Sequence, residues 1–221
     1  MNKLSIVIPC YNEAKNIVPL FEKIHDLLNI NENLEIIIID NGSTDDTKKN
    51  ILNSKLMIEK KIIFNEIQKN IGYGHGIMTG VNIASGEFIG WCHADLQTEP
   101  ADVYNAYIQN FEKLKNEQVV IKGLRKNRNL FDSIFTFGMS IISSFIFQRI
   151  IYDINAQPKI FPRCFKDYLV DYPYDFSLDL YFLIIAKINN YKILNYNVFF
   201  KKRLHGEAKG GGSIKVKIKL I

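Results

Sequence analysis

The stretch Leu34-Glu35-Ile36-Ile37-Ile38-Ile39-Asp40-Asn41-Gly42-Ser43-Thr44-Asp45 decides the fold class of this chain. Its apolar run is rich in isoleucine, too short for a helix, and typical of a strand that is covered on both faces. The run ends in a polar turn whose Ser43 and Thr44 can cap the next helix. This stretch therefore predicts a buried strand with polar groups at its carboxyl end.

Strands and helices alternate on both sides of this stretch. Leu4 to Ile8 is a predicted strand, and apolar residues between Ile17 and Leu28 recur at helical spacing. The same pattern predicts strands at Lys61 to Ile67 and Glu87 to Cys92, and helices at Tyr73 to Ala84 and Ala101 to Leu114. Such alternation predicts an α/β fold with a doubly wound, mostly parallel sheet flanked by helices. Ligands of such sheets bind at the carboxyl ends of the strands.

The second half of the chain has a different pattern. Leu130 to Tyr152 is strongly apolar and long enough to span a membrane, but polar residues interrupt it at helical spacing. It predicts an amphipathic helical region that packs on the core or lies in a membrane interface, with a true span as a third option. Further elements are predicted as a strand at Val119 to Gly123, a helix at Ser177 to Ile188 and a strand at Lys192 to Phe200.

Composition limits the class of protein. The chain has 221 residues, of which 47% are hydrophobic and 23% charged, so it is long enough for a full core and is not a disordered chain. We expect a single domain over 1–205, with a donor-binding part (1–125) and an acceptor- and membrane-facing part (126–205), followed by a basic tail (206–221). The net charge of +5 suits an anionic partner, although a merely soluble basic surface explains it equally well.

The cysteines and the first residues of the sequence bear on the cellular compartment of the protein. Cys10, Cys92 and Cys164 are far apart in the chain, and two lie in apolar strands, so we expect buried thiols in a reducing compartment. Met1 leads almost directly into a strand, without a signal-peptide pattern. The aromatic residues follow core periodicity, which argues against nucleic-acid binding. We therefore expect a cytoplasmic protein or one at the cytoplasmic face of a membrane.

Four polar segments follow predicted strands and should lie side by side at one sheet edge. Asp40 can accept a hydrogen bond from a nucleotide base, and the glycines allow a sugar phosphate to approach the backbone. Asp95 and Gln97 offer oxygen ligands to a divalent cation that gains further ligands from a diphosphate. An aspartate after a strand is also a common turn former or helix cap. The segments are Pro9-Cys10-Tyr11-Asn12-Glu13, Asp40-Asn41-Gly42-Ser43, Asn70-Ile71-Gly72-Tyr73-Gly74 and His93-Ala94-Asp95-Leu96-Gln97.

Together these segments resemble glycosyltransferase family 2, the nucleotide-sugar enzymes with the Rossmann-like GT-A fold. The resemblance is closest to the polyprenyl-phosphate sugar transferases. Pro9 to Glu13 matches the family's Pro-x-Tyr-Asn-Glu, and Ile39 to Asp45 matches its Val-Asp-Asp-Gly-Ser-x-Asp. The match covers nearly the whole chain, and further matching segments are Asn70 to Gly74, Gly86-Glu87, Gly123-Leu124-Arg125, Asp153 to Arg163 and Arg203 to Lys209.

The resemblance implies specific roles for individual residues. Asp95 and Gln97, with His93 as an additional candidate, would hold a divalent metal, Mn²⁺ or Mg²⁺. The residues expected to contact phosphates of the donor or acceptor are Arg125, Arg203 and Lys209. The donor-binding set is Pro9, Tyr11, Asn12, Glu13, Asp40, Asn41, Gly72, His93, Asp95 and Gln97.

Two positions depart from the family pattern, and one carboxylate has several interpretations. His93 stands where the metal motif has an aspartate, so the metal preference is shifted or the imidazole contacts the sugar or diphosphate directly. Asn41 replaces a second aspartate and retains an acceptor. With Asp95, Asp179 is the other catalytic candidate: it acts as a general base, positions the sugar, or is only a favourable acid at a helix start.

The resemblance implies a glycosyltransferase that moves a sugar from a nucleotide-sugar donor, with metal assistance and inversion, to a polyprenyl phosphate. We expect it to associate peripherally with the inner face of the cytoplasmic membrane. One alternative is transfer to a glycan hydroxyl in surface polysaccharide synthesis. An alternative of another class is a non-catalytic nucleotide-sugar-binding protein.

Overall fold

The computed structural model describes residues 4–59, 61–126 and 153–205. The predicted helical region at 130–152, Lys209 and the basic tail at 206–221 lie outside the described residues. The strands are β1 (Leu4–Cys10), β2 (Leu34–Asn41), β3 (Ile63–Ile67), β4 (Phe88–Trp91), β5 (Val119–Lys126), β6 (Lys159–Pro162) and β7 (Lys192–Phe199). The helices are α1 (Ile17–Ile30), α2 (Thr47–Leu52), α3 (Lys55–Ile58), α4 (Tyr73–Ile83), α5 (Pro100–Gln109), α6 (Phe111–Asn116) and α7 (Leu178–Ile188), with a 3₁₀ helix at Arg163–Tyr168.

The strands form one seven-stranded sheet in the order β3-β2-β1-β4-β6-β5-β7. Strands β3, β2, β1 and β4 are parallel neighbours, as are β5 and β7. Among the described strands, only β6 runs antiparallel to its neighbours β4 and β5. The predicted α/β fold with a mostly parallel sheet is confirmed.

Apolar side chains of the central strands pack alternately on the two faces of the sheet. Ile6 and Ile8 belong to a core cluster that includes buried residues of α1 and α5. Val7, between them, belongs to a second cluster with buried residues of α4 and α7. Because both faces are covered by helices, the central strands are apolar throughout, which is the reason for the continuous isoleucine run of β2.

The strand register brings three polar loops together. Cys10 at the end of β1 pairs with Asp40 at the end of β2, and Val7 pairs with Trp91 at the end of β4. These strands are parallel, so their carboxyl ends share one edge of the sheet. The loops that begin after β1, β2 and β4 therefore leave the sheet as neighbours.

Some elements differ from the sequence-based expectation. The helix predicted from Ala101 to Leu114 is two helices that meet at Asn110, whose side-chain amide donates to the Ala106 carbonyl oxygen at 2.9 Å. This local hydrogen bond replaces the regular helical pattern at the junction. Strand β6 was not predicted, because it has four residues and begins with a lysine. Within the described ranges, none of the helices combines the length and apolar character required to cross a bilayer.

Candidate active site

A cavity of about 470 Å³ opens where β1, β2 and β4 end. Eleven of the predicted site residues line it, so distant segments of the chain do meet here. They are Pro9, Tyr11, Glu13, Asn41, Gly72, His93, Asp95, Gln97, Arg125, Asp179 and Arg203. A larger cavity of about 610 Å³ lies along α1 and α3 and contains none of the predicted site residues.

Asn12 and Asp40 lie beside this cavity without lining it. The Asn12 backbone N–H donates to Ser43 Oγ at 3.0 Å, and its side-chain oxygen accepts from the Thr44 N–H at 2.8 Å. Asp40 is buried and accepts from the Ser43 N–H at 3.1 Å. In this structure both residues therefore shape and join the loops after β1 and β2.

Asp95 and Gln97 both contact Arg203. The Arg203 Nη2 donates to Asp95 Oδ2 at 2.6 Å and to Gln97 Oε1 at 3.0 Å, while its Nε is buried without a hydrogen-bond partner among the described residues. The loop is held in shape by the Gln97 N–H, which donates to Asp95 Oδ1 at 3.1 Å. Two of the oxygens predicted to bind a cation thus already face one positive charge.

A divalent cation fits this donor set only together with a substrate. Within the described part of the chain, no group of three or more His, Cys, Asp or Glu side chains is arranged to hold a metal. Asp95 contributes one carboxylate and Gln97 one amide oxygen, both on the cavity wall. Mg²⁺-type ions characteristically use one or two protein carboxylates and complete their shell with water and substrate phosphates. Asp95 and Gln97 meet that requirement.

His93 contacts Tyr73 on the cavity wall. Its Nε2 lies 2.8 Å from the Tyr73 hydroxyl, which in turn lies 3.2 Å from Asp179 Oδ2. The Tyr73 ring stacks on Phe176 with 4.7 Å between centroids. Burial lowers the pKa of His93, although Asp95 and Asp179 act in the opposite direction. Burial and the nearby Asp179 raise the pKa of Tyr73 well above its ordinary value.

Asp179 lies in the first turn of α7 and is 1% exposed. Lys159 Nζ donates to its Oδ1 at 2.9 Å, and the Gln157 amide nitrogen donates to the same oxygen at 3.1 Å. Lys159 also donates to the carbonyl oxygens of Ile154 and Ala156, each at 2.9 Å. Burial lowers the pKa of Lys159, and the Asp179 carboxylate opposes that shift. We refer to Tyr73, His93, Gln157, Lys159 and Asp179 as the buried polar network.

Arg125 is fixed at the end of β5 by Asp153. Its Nε donates to Asp153 Oδ1 at 2.8 Å, and its backbone N–H donates to Oδ2 at 2.8 Å. Its guanidinium also lies 5.0 Å from the centre of the Phe200 ring. Burial would raise the pKa of Asp153, but hydrogen bonds and charge from Arg125 outweigh it and bring the pKa below its ordinary value. Arg125 thus presents an oriented positive charge to the cavity.

Sequence analysis assigned no individual role to several residues at the site, although it named the segments that contain Tyr73, Gln157 and Lys159. Tyr73 and Phe176 line the cavity, as does Gln157, whereas Lys159 is fully buried and does not line it. Lys159 is the first residue of the apolar stretch Lys159–Pro162, and a charged residue in a buried strand is a signal that sequence reasoning can use. Of the predicted residues, Lys209 lies outside the described part of the chain.

Curated proteins with similar sequences come from several bacteria. Over 104 residues the chain is 32% identical to "Undecaprenyl-phosphate 4-deoxy-4-formamido-L-arabinose transferase" of Proteus mirabilis, which covers 47% of this chain and 32% of that protein. Over 130 residues it is 29% identical to "Dodecaprenyl-phosphate galacturonate synthase" of Rhizobium johnstonii, which covers 57% and 37%. The chain thus spans about a third of the length of these relatives.

Solved structures show the same fold at low sequence identity. A mannosyltransferase from Pyrobaculum calidifontis, in complex with GDP-Man and Mn²⁺, has a TM-score of 0.67 and 19% identity, over 95% of this chain and 58% of that one. Glucosyl-3-phosphoglycerate synthase from Mycobacterium tuberculosis, in complex with Mn²⁺, UDP and phosphoglyceric acid, has a TM-score of 0.69 and 16% identity, over 93% and 72%. The chain therefore has the GT-A fold.

The family model "Glycosyl transferase family 2" matches residues 5–158, which is well over half of the chain. The matched range contains β1 to β5 and the loops that carry Glu13, Asn41, Asp95 and Gln97. The chain belongs to glycosyl transferase family 2.

Proposed function

We propose that this chain transfers a sugar from a nucleotide-sugar donor to a polyprenyl phosphate, with the assistance of a divalent cation. The observation that carries the proposal is the composition of one cavity. Asp95 and Gln97 supply cation ligands on its wall, and Arg125 and Arg203 supply positive charges for phosphates. This combination suits a diphosphate leaving group and an anionic acceptor in the same pocket.

The donor would bind in the part of the cavity formed by the β1, β2 and β4 loops. Pro9, Tyr11 and Glu13 lie on this wall and would contact the nucleotide. Asp95 and Gln97 would hold the cation, which offsets the negative charge that develops on the departing diphosphate. The Mn²⁺ in the two solved structures of the same fold supports this assignment.

The acceptor would bind near the arginines. A guanidinium makes bidentate contacts to phosphate, and the names of the similar curated proteins specify polyprenyl phosphates. A phosphate is already ionised, so it attacks without losing a proton, and we propose a single displacement with inversion. Asp179, which is held by Lys159 and Gln157, would position groups at the sugar rather than remove a proton.

A lipid acceptor requires contact with a membrane, and the segment after β7 has suitable chemistry. Phe199 is 68% exposed and Leu204 is 58% exposed, and the exposed Lys201 and Lys202 lie between them. Arg203, in the same segment, lines the cavity. Apolar residues beside lysines favour an anionic bilayer surface. We propose that the protein binds peripherally to the inner face of the cytoplasmic membrane through this segment.

The test uses the full chain with Mn²⁺, a panel of radiolabelled UDP- and GDP-sugars, and three acceptors: undecaprenyl phosphate, undecaprenol and a free oligosaccharide. We expect label in the organic phase only with undecaprenyl phosphate. Label on the oligosaccharide alone would replace the proposal by transfer to a glycan hydroxyl. Nucleotide binding without turnover for any donor would instead identify a non-catalytic binding protein.

Membrane association is tested separately by co-sedimentation with vesicles containing phosphatidylglycerol. We expect binding at low salt that decreases for the variant Phe199→Ser/Leu204→Ser. The matched control is Ile30→Ser, because Ile30 is 72% exposed at the end of α1. Equal sedimentation of both variants and the unmodified protein would contradict the role of the segment.

A further inference from the structure

The hydrogen bonds of the buried polar network determine which atom of each pair donates the proton and which accepts it. Asp179 accepts from the Lys159 ammonium at 2.9 Å and from the Gln157 amide nitrogen at 3.1 Å. An ionised carboxylate has no proton to donate. The Tyr73 hydroxyl, 3.2 Å from Asp179 Oδ2, must therefore donate its single proton to Asp179.

The remaining sites on the Tyr73 oxygen can only accept. The Gln157 amide nitrogen lies 3.1 Å from this oxygen and donates to it. His93 Nε2 lies 2.8 Å from the same oxygen, which has no second proton to offer. Nε2 must therefore carry a hydrogen and donate it. A neutral imidazole has one N–H, so the lone pair of His93 is on Nδ1.

Nδ1 is the ring nitrogen of His93 that Tyr73 does not contact. His93 is one of the residues that line the cavity. Within the described ranges, Nδ1 has no hydrogen-bond partner, yet it does not belong to the buried side-chain atoms that lack one. Nδ1 is therefore the His93 nitrogen available to a ligand in the cavity, and His93 is two residues from Asp95 in the same loop.

We propose that Lys159, Asp179 and Tyr73 are positioning residues that hold His93 in its Nε2–H tautomer, so that Nδ1 offers a lone pair to the cation bound by Asp95 and Gln97. This inference rests on the proposed function and deepens it. A nitrogen ligand favours a transition-metal ion over Mg²⁺. The buried polar network thus sets the metal preference of a site in which a carboxylate has been replaced by an imidazole.

The tautomer is measured directly by ¹⁵N NMR of the histidine side chains, at a pH at which the ring is neutral. His93→Gln assigns the His93 signals among the four histidines of the chain. We expect Nε2 to show the shift of a protonated nitrogen and Nδ1 that of an unprotonated one. The opposite assignment in the unmodified protein would overturn the proposal, whatever the behaviour of any variant.

Tyr73→Phe removes the hydroxyl and retains the ring that stacks on Phe176. We expect a mixture of His93 tautomers in this variant. The control is Tyr107→Phe, because Tyr107 is a buried tyrosine of α5 that packs on Phe88 and Phe111 away from the cavity. A pure Nε2–H tautomer in Tyr73→Phe would contradict the positioning role.

Metal preference gives a second readout that does not require turnover. In the presence of UDP or GDP, free Mn²⁺ is followed by EPR while Mg²⁺ competes. Loss of a residue that orients a metal ligand typically costs 10- to 100-fold in metal affinity, so we expect Tyr73→Phe to lose about tenfold in Mn²⁺ affinity relative to Mg²⁺. His93→Asp should shift preference towards Mg²⁺, and Tyr107→Phe should change nothing.

The two proposals fail in different ways. If the unmodified protein transfers sugar but Tyr73→Phe leaves both the tautomer and the Mn²⁺ preference unchanged, the positioning role is wrong and the proposed function stands. If the tautomer and metal preference change as expected but no donor is turned over with any acceptor, the proposed function is wrong and the positioning of His93 stands.

Discussion

Two ion pairs beside the same cavity differ in how firmly they are fixed. In the Lys159–Asp179 pair the two side chains are 0% and 2% exposed, and Lys159 also donates to two carbonyl oxygens. In the Arg203–Asp95 pair the side chains are 23% and 7% exposed, and Arg203 Nε has no partner among the described residues. The first pair is buried from solvent, whereas under the proposed function a cation and a phosphate would replace the partners of the second. We call Lys159–Asp179 the fixed pair and Arg203–Asp95 the exchangeable pair.

The largest expected effect is on the fixed pair. Lys159→Met leaves the Asp179 carboxylate buried without its cation, which costs about 3–5 kcal/mol in the free energy of unfolding. Urea unfolding measures this loss. The double variant Lys159→Met/Asp179→Leu removes both charges and should recover most of it. A loss below about 1 kcal/mol for Lys159→Met would show that the two pairs are energetically alike.

The exchangeable pair should affect activity rather than stability. Asp95→Asn retains an oxygen for Arg203 but removes the charge needed for the cation, so we expect donor turnover to fall about 100-fold, or about 2.7 kcal/mol. The loss in the free energy of unfolding should be smaller than that for Lys159→Met, because Arg203 keeps an oxygen partner and its side chain is 23% exposed. Asp46→Asn is the control, since the Asp46 side chain is 72% exposed in a surface pair. Retained turnover in Asp95→Asn would remove Asp95 from the reaction.

A second buried lysine, Lys122, can be compared with Lys159 of the fixed pair, whose ammonium contacts a carboxylate. Lys122 lies opposite Lys159 on β5, is 3% exposed, and donates to the carbonyl oxygens of Gly123 and Asp153. Burial, followed by repulsion from Lys159, lowers the pKa of Lys122 from 10.5 to about 7. The other charged groups that act on it are Asp153, Arg125 and Asp179.

This lowered pKa predicts how stability changes with pH. Between about pH 7 and 10.5 the unfolded chain holds a proton on Lys122 that the folded chain has released. Stability should therefore rise with pH across this window, by at most about 1.4 kcal/mol per pH unit. Urea unfolding at several pH values should show a steeper rise in the unmodified protein than in Lys122→Met, which retains Lys159 and its lowered pKa. Parallel pH profiles would mean that Lys122 keeps its proton when buried.

The smallest effect should come from an ion pair on the surface. Lys48 and Glu66 are 2.7 Å apart, with side chains 46% and 32% exposed. Lys48→Gln should change the free energy of unfolding by less than about 0.5 kcal/mol, because solvent already screens the pair. Urea unfolding and nucleotide titration should both match the unmodified protein. A loss of 2 kcal/mol or more would show that exposure does not rank the ion pairs of this protein.

Sequence patterns predicted the elements whose signals are local. The isoleucine run of β2 and the helical spacing of α1 both depend on residues close in the chain, and both elements are confirmed. The pattern failed at β6, where a short strand begins with a buried lysine, and at Asn110, where one predicted helix is two. In both places a polar side chain makes a hydrogen bond that the spacing of apolar residues does not predict.

Motifs also indicated which strand-end residues face the cavity, because parallel strands bring their carboxyl ends to one edge. They did not reveal the contacts of those residues. Tyr73 meets Asp179 across 106 positions and Arg203 meets Asp95 across 108. Nothing in the residues near Asp179 indicates that it is buried against Lys159.

By itself, the amino-acid sequence determined the parallel sheet, the edge at which the polar loops gather and the unusual imidazole at position 93, because periodicity and strand ends are properties of neighbouring residues. Only the tertiary structure decided which charges are paired, which oxygens of Asp95 and Gln97 face Arg203, and which nitrogen of His93 is left for the cavity. Those outcomes depend on the register and burial of segments far apart in the chain, and a hydrogen bond forms only where such segments place a donor within about 3 Å of an acceptor.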